Sequence, residues 1–434
     1  MSHSRPVDRR SLVLAALSTV VEWYDFTLFL YLATVLARVF FRGEDSVLTT
    51  LAGFAVAYLL RPVGALVFGH FGDLHGRRAT LLASMTLMTV AMALTAILPT
   101  AAQAGPIAGV LLLLLRCVMG FAVGGEYTGV VAYLLEGAAP GRRGLVTSLA
   151  AATSEIGGLL AVALAALTAS LLPRPVLDDW GWRLPFAFGA ALAGAILIAR
   201  AAMRESPAFE TRRDAGALVR RPLVHALRRH RAGVLRGFAI SALGSITYYV
   251  GITYVPLYLT SIGRLDEAKA LQLATVAAVA VVLVTPLVGL LADRWGRRPV
   301  LIGLALLSAA LPYPLFHLLA GATSGTTLAG AIVLAMLAGG ISAVGAVATA
   351  EQLPVEGRLS GLALGATIAT ALFGGLTPWL AQVLTQRSGS LSAPGVMIAL
   401  VAIAVLPVLL ALPETRPRSA GQIASPASRL PRDR

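Results

Sequence analysis

The chain has 434 residues, 57% of them hydrophobic and only 13% charged, with a formal net charge of +14. A soluble protein keeps about a quarter of its residues charged; half that value, with a mean hydropathy of +0.80, excludes a soluble globular protein and implies a membrane-embedded one. The positive charge sits in short gaps between apolar runs, with no separate basic domain, which excludes nucleic acid as a partner and points to orientation in a lipid bilayer.

In chain order, Arg5, Arg9 and Arg10 precede an apolar run that has the outline of a signal peptide. That run contains Glu22 and Asp25 and continues to about Phe41, too long and too acidic for a cleaved segment, so it is expected to be retained as the first span. Apolar runs of ~20 residues, the length that crosses the hydrocarbon core, then recur. Twelve spans are predicted, near 12–37, 48–70, 79–99, 106–135, 145–172, 183–203, 233–260, 268–291, 299–320, 327–350, 361–385 and 393–412. Only helices satisfy their own backbone over such lengths in lipid. Cys117, the single cysteine, falls inside span 4, allows no intrachain disulfide and is expected to pack as a small hydrophobe.

The gaps give orientation. Arginines cluster before span 1 and after spans 2, 4, 8, 10 and 12, where Arg77, Arg142, Arg294, Arg358 and Arg416 stand. The alternate gaps are acidic, mixed or uncharged, as at Asp178-Asp179 and Asp266-Glu267. The positive-inside rule places both termini in the cytoplasm. Residues 1–203 are expected to form an N-terminal six-helix half, 204–232 an arginine-rich cytoplasmic middle loop, 233–412 a C-terminal six-helix half, and 413–434 a disordered cytoplasmic tail.

An internal repeat supports this division. Gly69, Asp73, Gly76, Arg77 and Arg78 after span 2, and Gly289, Asp293, Gly296, Arg297 and Arg298 after span 8, both spell G-x-x-x-D-x-x-G-R-R. Duplicated halves are how alternating-access carriers are built. The glycines permit tight turns, and the two loops are expected to gate the cytoplasmic side as latches that break when the halves rock, without touching solute.

This repeated loop resembles the signature of the major facilitator superfamily. Glu22-Trp-Tyr-Asp25-Phe, Arg61-Pro-Val-Gly64, Gly124-Gly-Glu126-Tyr-Thr-Gly129, Trp180-Gly-Trp-Arg183-Leu-Pro185-Phe, Glu205-Ser-Pro207-Ala-Phe209 and Gly374-Gly-Leu-Thr-Pro378 are together similar to the metabolite:proton symporter family. The chain departs from that pattern at Met119, where glutamine is expected, and at Glu155 in span 5. The resemblance covers nearly the whole chain. It implies an all-α membrane protein of twelve transmembrane helices in two pseudo-symmetric halves, and proton-driven uptake of an organic acid or of a zwitterion such as proline or betaine. Span 5 lacks the Gly-Pro motif of drug/proton antiporters, which favours symport. A cell (inner) membrane location, a monomer, and protons, lipid and a small solute as partners are expected.

Ionisable groups inside spans carry the chemistry, because a charge at the bilayer midplane costs several kcal/mol. Glu22 and Asp25 share a face of span 1 at i,i+3, Arg61 lies at similar depth in span 2, and Arg116 and Glu126 stand ~15 Å apart along span 4. A guanidinium fork matches a carboxylate, which makes Arg61 and Arg116 the candidates for holding the solute. A desolvated carboxylate retains a proton more readily than one in water, and a nearby arginine works the other way. Asp25, Glu126, Glu22 and Glu155 are therefore the proton-coupling candidates. The bland alternative is that these charges are fixed salt bridges between spans 1, 2 and 4. Tyr248, Tyr249 and Tyr254 in span 7 are either interfacial anchors or, as the resemblance implies, cavity lining. No phosphate-binding loop, metal-ligand cluster or catalytic set is present, so neither cofactor nor metal nor enzymatic activity is expected. A membrane sensor is the remote alternative, lacking the signalling domain it would need.

Overall fold

Apolar segments that cannot hydrogen-bond lipid must close their backbone bonds internally. The computed structural model describes residues 9–41, 43–75, 77–124, 142–201, 230–263, 265–321, 324–353 and 361–415, and every predicted span is helical over its described part. Among the described residues eight helices are long and apolar enough to cross a membrane, and counting three bent pairs as one span each gives eleven. The twelfth position, span 4, holds the 16-residue apolar helix Ile107–Ala122; the rest of that run lies outside the described residues, as do most of the middle loop and the tail.

The bends have local causes in two of three cases. Span 7 bends by 43° between Arg231–Thr253 and Val255–Ser261, and span 9 by 43° between Arg297–Ala310 and Pro312–Ala320. Pro256 and Pro312 each delete a backbone donor beside the break, and a π-helical turn over Tyr249–Thr253 loosens span 7 further. Span 1 bends by 65° between Thr19–Tyr31 and Ala33–Phe40, and nothing in its sequence explains that bend.

Large apolar side chains such as Ile198, Leu283, Leu287 and Leu400 are more than half exposed, which is the lipid-facing pattern of a spanning helix. Inside each half, backbones approach closely. A Cβ on Gly64 would strike the Phe121 carbonyl and one on Gly120 the Ala57 carbonyl, so spans 2 and 4 meet with no side chain between them. Two seams join the halves: Arg143–Leu171 of span 5 packs along Glu267–Trp295 of span 8, and Ser46–Leu59 of span 2 packs against span 11 at Ala371–Gly375. Those seams position everything that follows.

Candidate functional site

Between the halves lies a cavity of about 140 Å³. Span 1 contributes Trp23, span 2 Arg61, span 7 Ser241, Ser245, Tyr248 and Tyr249, span 10 Ser342 and Thr349, and span 11 Thr367 and Thr370. Arg61 is the one charged side chain among its described lining residues. It is buried, with Nη2 donating to the Glu22 carboxylate and Nη1 to the Tyr58 hydroxyl at 2.8 Å. Tyr58 stands one helical turn earlier on the same face, and its hydroxyl bonds that of Tyr249 across the seam. The guanidinium also rests 4.9 Å from the ring centres of both Phe26 and Tyr58. Opposite it, Trp23 packs edge-on to Tyr248 at 5.0 Å and lies along Tyr249 at 6.2 Å. The result is one fixed cation beside an aromatic wall and a ring of hydroxyls.

The second arginine is elsewhere. Arg116 Nη1 donates to Asp25 Oδ2 at 2.7 Å and Nη2 to the Thr95 hydroxyl at 3.1 Å, with Phe29 and Phe186 rings 5.5 and 5.7 Å away. This pair joins spans 1, 3, 4 and 6 inside the N-terminal half and does not line the cavity. Glu22 and Asp25 thus share a helix but serve different arginines, the geometry of the salt-bridge alternative. Glu155, in span 5, accepts a hydrogen bond from Ser342 Oγ at 3.4 Å and bonds Tyr248; among the described residues no arginine or lysine pairs with it. Tyr248 and Tyr249 line the cavity, whereas Tyr254 donates to Gln382 at 2.7 Å beyond it. Glu126 and Gly76 lie outside the described residues, as do the side chains of Asp73, Arg77 and Arg78 and the surroundings of Gly69.

Contacts cross between halves on both faces. At the end that carries the repeated loop, Asp293 accepts from the backbone N–H of Gly144 at 2.8 Å and of Leu145 at 2.9 Å, the first turn of span 5. A carboxylate there meets unsatisfied donors and the positive end of the helix dipole. Asp293 also pairs with Arg297 at 3.1 Å, and Arg297 with Glu351 at 3.2 Å. The loop turns at Gly296, φ 107°, a conformation that favours glycine, and Glu414 accepts from the N–H groups of Arg297 and Arg298, both at 3.0 Å. Gly289 lets span 8 close on Ser148.

On the opposite face, Arg38 grips Asp178 with Nε at 2.9 Å and Nη2 at 2.8 Å, and reaches Glu267 with Nη1 at 3.0 Å. Thr34 bonds the same glutamate. Sequence reasoning noticed Asp178 and Glu267 only as acidic outer gaps and missed Arg38. An arginine just past the end of span 1, facing two acidic gaps, was the available signal.

The Asp293 contact yields an expected result. Asp293→Ala removes two hydrogen bonds to a charged acceptor, worth about 1.5–3 kcal/mol each, and should shift the population toward a form open at this end. With Cys117→Ala and a single cysteine at Ser148, which is fully buried in the closed seam, maleimide labelling should accelerate about tenfold or more. An unchanged rate counts against the latch.

The profile of the family described as "Sugar (and other) transporter" matches residues 11–221 and again 222–425. The ectoine/proline transporter ProP of Corynebacterium glutamicum is 34% identical over 87% of this chain and 78% of its own. The citrate-proton symporter of Klebsiella pneumoniae is 32% identical over 88% and 87%, and the alpha-ketoglutarate permease of Escherichia coli K12 is 32% identical over 86% of each chain. Among solved structures, the partially occluded inward-open xylose transporter XylE of E. coli superposes with a TM-score of 0.75 at 20% identity, over 94% of this chain and 99% of that one, which shows the twelve-helix, two-half fold.

Proposed function

The chain belongs to the sugar (and other) transporter family, and from that premise we propose a proton-coupled symporter that takes up a small carboxylate-bearing solute by alternating access. It works as a multi-pass protein of the cell (inner) membrane with both termini cytoplasmic, the sense that the arginine-rich gaps favour. The observation that carries the reading is the seam cavity with Arg61 at its wall. Arg61 offers a fork to a carboxylate, the hydroxyls of Ser241, Ser245 and Thr370 complete its polar shell, and the latches on the two faces open in turn.

Within that class the cavity favours a zwitterion of zero net charge, such as proline or betaine, over a polyanion. The single cation among the described lining residues is already shared with Glu22. A tricarboxylate would leave charge unmatched, whereas an ammonium group meets the faces of Trp23, Tyr248 and Tyr249, a contact worth about 0.5–2 kcal/mol.

Uptake into proteoliposomes of labelled proline, glycine betaine, 2-oxoglutarate and citrate tests both statements. An inward proton gradient should drive accumulation of at least one solute, and a protonophore should abolish it. Unlabelled glycine betaine should compete better than citrate. Accumulation that survives collapse of the gradient rules out proton coupling.

A further inference from the structure

Three intramembrane carboxyls have described side chains. Glu22 and Asp25 each face an arginine, and among the described residues Glu155 does not. It is buried at the seam, where span 7 presents Tyr248, span 10 Ser342 and span 1 Tyr31; Tyr248 and Ser342 bond to it, and Tyr31 feels its charge. An ionised carboxylate buried without a counter-ion costs several kcal/mol. The neutral acid carries no such penalty and is satisfied by hydroxyl partners. With the seam closed, the geometry therefore calls for the acid.

Tyr248 and Ser342 belong to the opposite half from Glu155, and both line the solute cavity. Any movement that parts span 5 from spans 7 and 10 removes both partners at once and admits water, and ionisation then becomes affordable. Closing the seam over bound solute requires the proton again, whereas a vacated, wetted cavity tolerates the ionised carboxylate and the empty carrier returns without the proton. Resting on the symport reading above, we propose that Glu155 is the proton site of the cycle, loaded from the outer solution as the seam closes and emptied to the cytoplasm as it opens. Tyr248 and Ser342 link its protonation to cavity occupancy. One carboxyl moves one proton per turnover, and no other group changes its chemistry.

The test uses the same proteoliposomes and the same four labelled solutes. Glu155→Gln should lose gradient-driven accumulation, to about a tenth of wild type or less. Solute exchange at equal pH on both sides should persist in it with a flat profile between about pH 6 and pH 9, whereas wild-type exchange falls as pH rises and the site can no longer reload. A variant that accumulates solute as wild type does overturns the proposal. If Glu155→Gln loses exchange as well, Glu155→Asp decides. Accumulation restored by the shorter acid upholds the site; continued loss in a protein of wild-type thermal stability overturns it. Wild-type protein that exchanges solute but ignores the gradient refutes proton symport itself, a result distinct from a gradient response that survives in the variant.

Discussion

Arg61→Ala is expected to weaken solute binding about 30-fold or more, the largest effect of any single change in the cavity. Truncating one member of a buried, hydrogen-bonded charge pair costs about 2–5 kcal/mol, and each 1.4 kcal/mol is tenfold in affinity. Two losses combine here. The solute carboxylate loses its one cationic partner among the described lining residues, and the buried Glu22 loses the guanidinium it accepts from. Arg61→Lys separates them. It retains a charge near Glu22 but not the planar fork that reaches Tyr58 and Glu22 together. The lysine variant should therefore fold at wild-type yield and still show a raised KM, with the alanine variant raised further. Transport with unaltered KM in both variants would remove Arg61 from the solute site.

The spans, their number and the two-half arrangement were legible in the sequence because each rests on local composition: runs of apolar residues set the helices, and arginine-rich gaps alternate with acidic ones. The repeated loop was legible for the same reason. Partner choice was not. Glu22 and Asp25, one helical turn apart, were expected to share a helix face, yet Glu22 turns to Arg61 and Asp25 to Arg116. Which face of span 1 meets which helix depends on packing in three dimensions, and single-sequence periodicity carries no such information. Arg116 and Arg61 looked equivalent as intramembrane guanidiniums; only the seam's position separates the arginine that reaches the cavity from the one enclosed within a half. Glu155 looked anomalous for lack of a recognisable motif. Its significance lies in what it faces, Tyr248 and Ser342, which are distant in the chain and belong to the other half.

The Asp25–Arg116 pair makes the opposite demand on the protein. Both groups are essentially inaccessible, Asp25 at 0% and Arg116 at 3% exposure, and neither Asp25 Oδ1 nor Arg116 Nε has a hydrogen-bond partner among the described residues. Asp25→Ala strands a guanidinium between Phe29 and Phe186. Breaking a buried pair in this way destabilises by about 3–5 kcal/mol, which should appear as a lower thermal midpoint in detergent and a reduced membrane yield. Replacing both groups together, Asp25→Leu with Arg116→Met, removes both charges while filling similar volume, and such exchanges are often neutral or stabilising. The double variant should therefore recover most of the lost stability. Its transport then separates two roles that the geometry alone leaves equivalent. Gradient-driven uptake regained along with stability marks the pair as a structural brace of spans 1 and 4. A stable double variant that exchanges solute slowly marks it as a switch whose pairing must change during rocking of the halves. A single Asp25→Ala variant as stable as wild type would show that the arginine finds another partner, and would withdraw the energetic argument for the pair.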